Sequence, residues 1–284
     1  MVRRWSIPFI TVTLAFGSML AVAGTASAAP LAAHRTAVRP GGVTVHAFRP
    51  GGVMARPTGA MRAEARGGRT TVESTNWSGY AATGADGTFT SVSATWTEPT
   101  ATCTSSGGRR GRGGSDSYAA FWVGLDGYSS DSVEQTGTDS DCDGTTPDYY
   151  GWYEMYPADP VYYTNTVKPG DTISASVTFS GTETYTLVLT DSTEGWTQTQ
   201  TINETGLDRS SAEVITEAPS SDTGVLPLAD FGTVTFGSSD ANGTSLGTQS
   251  PTEIVMVDNS GADKDSTSTI NGSGGFSNTW LRSS

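Results

Sequence analysis

The sequence predicts an all-β protein, a two-sheet antiparallel β-sandwich, on three observations. Apolar residues recur at every second position in short runs: Ile173, Ala175, Val177 and Phe179 share one face, Val92, Ala94 and Trp96 another, and Tyr185, Leu187 and Leu189 a third. Clusters of Gly, Ser, Asp and Asn punctuate the runs, as at Gly84-Ala85-Asp86-Gly87, Pro169-Gly170-Asp171 and Asn242-Gly243. No segment carries a convincing apolar face at helical spacing. About a dozen short strands in one unit fit two packed sheets.

Taken in order, residues 1–28 carry Arg3 and Arg4, an apolar run from Ile7 to Ala23, and Ala26-Ser27-Ala28. That is the three-part plan of a secretory signal, with cleavage expected near Ala28. The run is too short and interrupted for a membrane span, so a secreted, extracellular protein with no stable membrane association is expected. Residues 29–69 hold seven Arg against one acid, Glu64, repeat Arg-Pro-Gly-Gly-Val from Arg39 and from Arg49, and show no periodic apolar face. Such a segment is expected to be disordered alone. Nine of the 16 basic residues precede Thr70, leaving seven against 28 acids in residues 70–284. A basic leader on so acidic a body suggests a pro-segment held by charge, with 70–284 as the folded domain.

Composition excludes several chemistries. With a net charge of −13, the chain is a poor partner for nucleic acid, and the arginines of Gly107–Gly114 read as a surface loop. Its two cysteines, Cys103 and Cys142, are too few for a disulfide scaffold or a four-cysteine zinc site, and their spacing leaves open whether they pair. Both histidines, His34 and His46, fall before residue 70. Without that stretch, Ser-His-Asp, Cys-His and histidine-ligated zinc chemistry all disappear.

Five stretches carry polar chemistry. Asp222-Thr223-Gly224 matches the aspartic-protease tripeptide, but no second copy exists to share the proton, so a turn is expected. Asp139-Ser140-Asp141-Cys142-Asp143-Gly144 resembles half of a calcium loop, yet Tyr150 stands where the bidentate Glu belongs, and an acidic hairpin loop is expected. In the run Tyr149–Pro157, alternation puts Trp152, Glu154 and Tyr156 on one side, an aromatic wall around a carboxylate. Such a face suits either a core strand or a groove for a polypeptide or sugar chain. Gln135 shares a face with Val133, and Glu213 shares one with Ile215.

Together these runs resemble the glutamic peptidases, or eqolisins, the pepstatin-insensitive acid endopeptidases. The resemblance runs through Asn76-Trp77-Ser78-Gly79, Phe89–Trp96, Phe121–Gly127, Glu134-Gln135-Thr136-Gly137, Trp152–Pro157, Ser211–Ile215 and Ala229–Phe236, covering essentially residues 72–260. It implies a lectin-like sandwich of bent sheets with the site on a concave face. It assigns catalysis to Gln135 and Glu213, with support from Trp122, Asp126, Asp139, Trp152, Glu154 and Tyr156. It implies polypeptide substrates, a monomer, and no metal or cofactor. The Arg-Gly insertion before Tyr118 and the tail after Asp258 depart from the family pattern.

The implied mechanism is chemically coherent. Glu213 would take a proton from the attacking water and pass it to the leaving amine, while the Gln135 amide, which does not titrate in acid, would stabilise the oxyanion. Near pH 4 about half of the body's acids would be neutral, so self-repulsion falls as acid rises. Two rival readings use the same residues: a glycoside hydrolase with Glu154 and Glu213 as its carboxylate pair, and a carbohydrate-binding module stacking sugars on Trp152 and Tyr156. Gln135 separates them, because only the peptidase needs it.

Overall fold

The computed structural model describes residues 62–66, 69–104, 114–221 and 223–284. The expected signal, most of the expected pro-segment, most of the Arg-Gly loop and Asp222 lie outside the described residues. In chain order the strands are β1 (Arg62–Arg66), β2 (Arg69–Ser74), β3 (Trp77–Thr83), β4 (Ser91–Thr97), β5 (Ala120–Leu125), β6 (Val133–Asp143) and β7 (Thr146–Tyr156). They continue as β8 (Val161–Tyr162), β9 (Thr172–Ser180), β10 (Thr184–Asp191), β11 (Trp196–Asn203), β12 (Ser211–Glu217), β13 (Ser220–Ser221) and β14 (Gly224–Val225). The last are β15 (Thr233–Ala241), β16 (Thr244–Ser245), β17 (Thr252–Met256), β18 (Asp265–Thr267) and β19 (Phe276–Trp280). Among the described residues the helical content is one 3-10 turn, Leu246–Thr248.

Two large sheets form, as expected. One runs β1-β2-β17-β3-β12-β5-β6-β7-β8 and the other β11-β10-β9-β4-β15-β19-β18, with β16 on β15. Neighbours are antiparallel except β2 and β17. The expected apolar runs supply the core: Val92, Ala94 and Trp96, Ile173, Ala175 and Val177, and Tyr185, Leu187 and Leu189 are buried against Phe121, Val123, Leu125, Ala212 and Val214. Each large side chain so buried contributes about 1.5–3 kcal/mol. Phe179 ends its run half-buried, with the Arg209 guanidinium 4.0 Å above its ring. Asn242 and Gly243 both take positive φ, 53° and 68°, which closes the two-residue turn from β15 to β16.

The outward positions of the second sheet are almost all hydroxyl-bearing. Ser91, Ser93 and Thr95 align across the sheet with Thr178, Ser176 and Ser174, and Thr190 and Thr186 with Thr197 and Thr201. Cross-strand hydroxyl pairs form at 3.0 Å for Thr190 and Thr197 and at 2.9 Å for Thr235 and Ser277.

Four findings extend the sequence reading. β1 and the first residue of β2 fall within 29–69, so the Thr70 boundary lies inside β2. β1 alternates charged residues with Ala, and β2 holds a single large apolar residue, Val72, so neither shows an apolar face to read. The acidic stretch at 139–143 is the end of β6, not a loop; the turn to β7 is at 144–145. Cys103 and Cys142 are disulfide-bonded. The expected turn around Asp222 has flanks that pair as β13 and β14.

One buried acid stitches the sheets together. Glu98, just past β4, is 1% exposed, and its carboxyl receives the Thr138 hydroxyl at 2.5 Å and lies 2.7 Å from Ser140 Oγ. Ser140 Oγ also lies 3.0 Å from Pro99 O, and Trp96 Nε1 donates to Thr138 Oγ1 at 3.0 Å. Every one of these groups is satisfied if Glu98 is the neutral acid: it donates to Ser140, which donates to Pro99 O.

Candidate active site

Strand register builds a lattice of side chains on the face of the nine-stranded sheet opposite the core. In one row stand Ala81 on β3, Glu213 on β12, Gly124 on β5, Gln135 on β6 and Glu154 on β7. The next row is Gly79, Ile215, Trp122, Gly137 and Trp152, and the third is Trp77, Glu217, Ala120, Asp139 and Tyr150. Glu213 and Gln135 are therefore two strands apart, about 10 Å between backbones at ordinary strand spacing. Gly124 lies between them without a side chain, and a Cβ there would meet Trp122 Cζ3 at 2.9 Å. The strip between the two polar groups is thus floored by glycine backbone and the edge of the Trp122 ring. Gly137 is required for the same packing: a Cβ would stand 2.1 Å from Phe121 O and 2.6 Å from Trp122 Cβ.

Hydrogen bonds hold the lattice. Gln135 Nε2 donates to Glu154 Oε2 at 2.5 Å. Trp152 Nε1 donates to Asp139 at 2.6 Å. The Tyr150 hydroxyl bridges Asp139 at 3.0 Å and Asp141 at 2.5 Å. One hydroxyl proton cannot serve two carboxylates, and burial, then the charge of Asp139, raises the Asp141 pKa well above the ordinary range. The disulfide ends at Cys142, beside this pair.

Glu213 is buried, and burial above all raises its pKa well above 4.5; Ser211 and the Tyr128 backbone counter this, while Asp126 and Glu134 add to it. Asp126 is buried with φ 68° and accepts the backbone N–H of Arg209 at 2.6 Å and of Ser210 at 2.8 Å. It therefore anchors the chain entering β12, two residues before Glu213, instead of standing in the lattice. Glu134 points from β6 to the core side, where burial and then Asp126 raise its pKa well above 4.5.

Comparison with known proteins decides the family. The sequence profile described as "Peptidase A4 family" matches residues 75–280.

The chain belongs to the Peptidase A4 family.

It is 32% identical over 201 residues to Aspergillopepsin-2 of Aspergillus niger, covering 65% of this chain and 70% of that protein. Similarity to Scytalidopepsin B of Scytalidium lignicola is 35% over 172 residues, 57% of this chain and 60% of the relative. Among solved structures, scytalido-glutamic peptidase with a transition state analog inhibitor superposes with TM-score 0.60 at 29% identity, covering 73% of this chain and 98% of that one. This protein is accordingly a glutamic peptidase, a hydrolase of peptide bonds, and the sandwich is the family's fold. The glycosidase and sugar-binding readings fall with that membership.

In the peptidase, seven of the eight residues singled out from sequence lie on or beside the lattice: Gln135, Glu154, Glu213, Trp122, Trp152, Asp139 and Tyr156, the last opposite Val133. Asp126 supports from the side. The sequence reading missed Glu217, Asn76 and Tyr150. Glu217 was visible in principle, because positions 213, 215 and 217 share a face on any strand. Glu217 Oε2 accepts Trp122 Nε1 at 3.0 Å and Oε1 accepts Asn76 Nδ2 at 3.2 Å. Burial and then Glu154 push the Glu217 pKa well up; Trp122, Trp77 and Asn76 oppose this.

Proposed function

We propose that this glutamic peptidase is a secreted acid endopeptidase in which Gln135 and Glu213 act together on one water and one scissile carbonyl. The observation that supports this most directly is the shared row: an amide on β6 and a carboxyl on β12 face one strip across Gly124 of the intervening β5. In the attacking step Glu213, as carboxylate, removes a proton from water while Gln135 N–H meets the developing oxyanion. In the second step Glu213 returns that proton to the leaving nitrogen, forming the amine as the C–N bond breaks.

The raised pKa of Glu213 bears differently on the two steps. It favours proton delivery and opposes base action in acid. Desolvation is its largest cause, and a site that admits the reacting water is no longer desolvated at Glu213. With water admitted, the Ser211 hydrogen bond that favours the carboxylate opposes the upward push of Asp126 and Glu134, and the ionisation of Glu213 sets the acid limb of kcat/KM. Glu154 orients Gln135, Asp139 orients Trp152, and the aromatic wall receives the chain of the substrate.

Purified protein incubated with a denatured protein substrate at about pH 3.5, with and without pepstatin, tests the reading. Proteolysis unaffected by pepstatin is expected, abolished in Glu213→Gln and lowered about 10²-fold or more in Gln135→Ala. Wild-type rates in Glu213→Gln would overturn the dyad. Secretion is checked by finding the protein in culture medium without residues 1–28.

A further inference from the structure

Glu217 is the remaining acid of the lattice, and the proposed mechanism leaves it unused. It is fully buried, on the same strand and face as Glu213. The groups hydrogen-bonded to its carboxyl are N–H donors: Trp122 Nε1 at 3.0 Å and Asn76 Nδ2 at 3.2 Å. The Asn76 amide is held in that orientation, because Ser74 Oγ donates to its Oδ1 at 3.1 Å and Ala218 N donates to its backbone carbonyl at 2.8 Å. The indole of Trp77, directly opposite Glu217 in register, also favours the charged form and packs edge-on against Trp122, with ring centroids 4.8 Å apart. Both bonds end on carboxyl oxygens, so Glu217 holds the indole and the amide as their acceptor.

Trp122 connects this carboxyl group to the reacting strip. Its N–H end is pinned at Glu217 in the third row, and its far edge, Cζ3, reaches Gly124 in the first row, between Glu213 and Gln135. We propose that Glu217 is a positioning residue that, through the Trp122 indole, sets the floor and spacing of the strip in which Gln135 and Glu213 act. The proposal rests on the dyad reading above. Its action is indirect, since Glu217 faces tryptophans and an amide and not the strip. The titratable group that bears on it is Glu154, with Asp139 in the same row two strands away.

The test is a double-mutant cycle on the full chain with a peptide substrate: Glu217→Gln, Trp122→Phe, the pair together, and Glu213→Gln in parallel. Glutamine keeps the shape but turns an amino group toward an N–H donor. Misplacement of the floor should lower kcat about tenfold or more, with KM changed less than about threefold. In the Trp122→Phe background, which has no indole N–H to hold, the same change should cost less than about twofold. Full kcat in folded Glu217→Gln, or the same loss in both backgrounds, overturns the proposal. Glu213→Gln reports separately: activity there sinks the dyad, while its loss leaves the Glu217 result to stand alone.

Should Glu217→Gln fail to fold, the wild type answers. The Trp122 indole N–H resonance, assigned through Trp122→Phe, should move with pH as its acceptor gains a proton. An indole signal that is constant across the stable pH range overturns the proposal.

Discussion

Replacing Glu98 with Gln should make the fold more stable in alkali and leave it nearly unchanged in acid. Burial pushes Glu98 from 4.5 up to about 8, against the opposing hydrogen bonds of Thr138, Ser140 and Trp96, with Asp171 adding a further upward push. Tyr149 is the other titratable group coupled to it. The folded state therefore holds a proton that the unfolded chain releases near pH 4.5. Stability from this group is complete below that pH, declines as pH rises and is lost by about pH 8, at about 1.4 kcal/mol per pH unit. Over the whole interval the loss is roughly 4–5 kcal/mol, a large share of a typical domain's stability. Glutamine reproduces the neutral acid: its Nε2 donates to Ser140 and its Oε1 accepts from Thr138. Urea unfolding of Glu98→Gln and its parent, both in the Glu213→Gln background to prevent self-digestion, checks this at about pH 4 and pH 8. The stability difference should widen by several kcal/mol toward alkali. Parallel unfolding curves at the two pH values would refute the neutral inter-sheet acid.

Three further outcomes are expected. Gly124→Ala should lower kcat about tenfold or more with a modest stability loss of about 1–3 kcal/mol, because its Cβ displaces the Trp122 edge; kinetics beside thermal melts separate the two. Cys103→Ser should cost about 4 kcal/mol, the closure entropy of a 39-residue loop, read from denaturant midpoints with and without reductant. The precursor should be stable near neutrality and convert below about pH 5, since acid neutralises the body's carboxylates but none of the leader's arginines. Its new N-terminus should lie near Thr70, and mass spectrometry of wild type and Glu213→Gln precursors after an acid shift decides whether it converts itself.

What could be read from the sequence was what alternates between apolar and polar. β4, β9 and β10 announce themselves because one face meets the core and the other meets water. β6 does not: Glu134, Thr136, Thr138 and Ser140 form its core side, where Glu98 meets two of them, so its buried face looks polar. The family's motifs pointed to Gln135 and Glu213, and the register shows them in one row. The partnership of Glu217 with Trp122 spans 95 positions, that of Glu98 with Ser140 spans 42, and neither leaves a local mark. The disulfide was open for the same reason: spacing says nothing of which residue β6 brings to Cys103.

The hydroxyl-covered face of the second sheet divides the molecule's response to protons. Along β9, β10 and β11 the outward residues are Thr, Ser, Val and Asn, none of which gains or loses a proton between strong acid and mild alkali. Glu134, Asp139, Asp141, Glu154, Glu213 and Glu217 all sit on strands of the other sheet. A change of pH therefore bears first on the leaf that does the chemistry, while the outward hydroxyl rows of β9, β10 and β11 keep the same bonds throughout. The peptidase can retune its working sheet with acid while the outer face of these three strands has nothing to titrate.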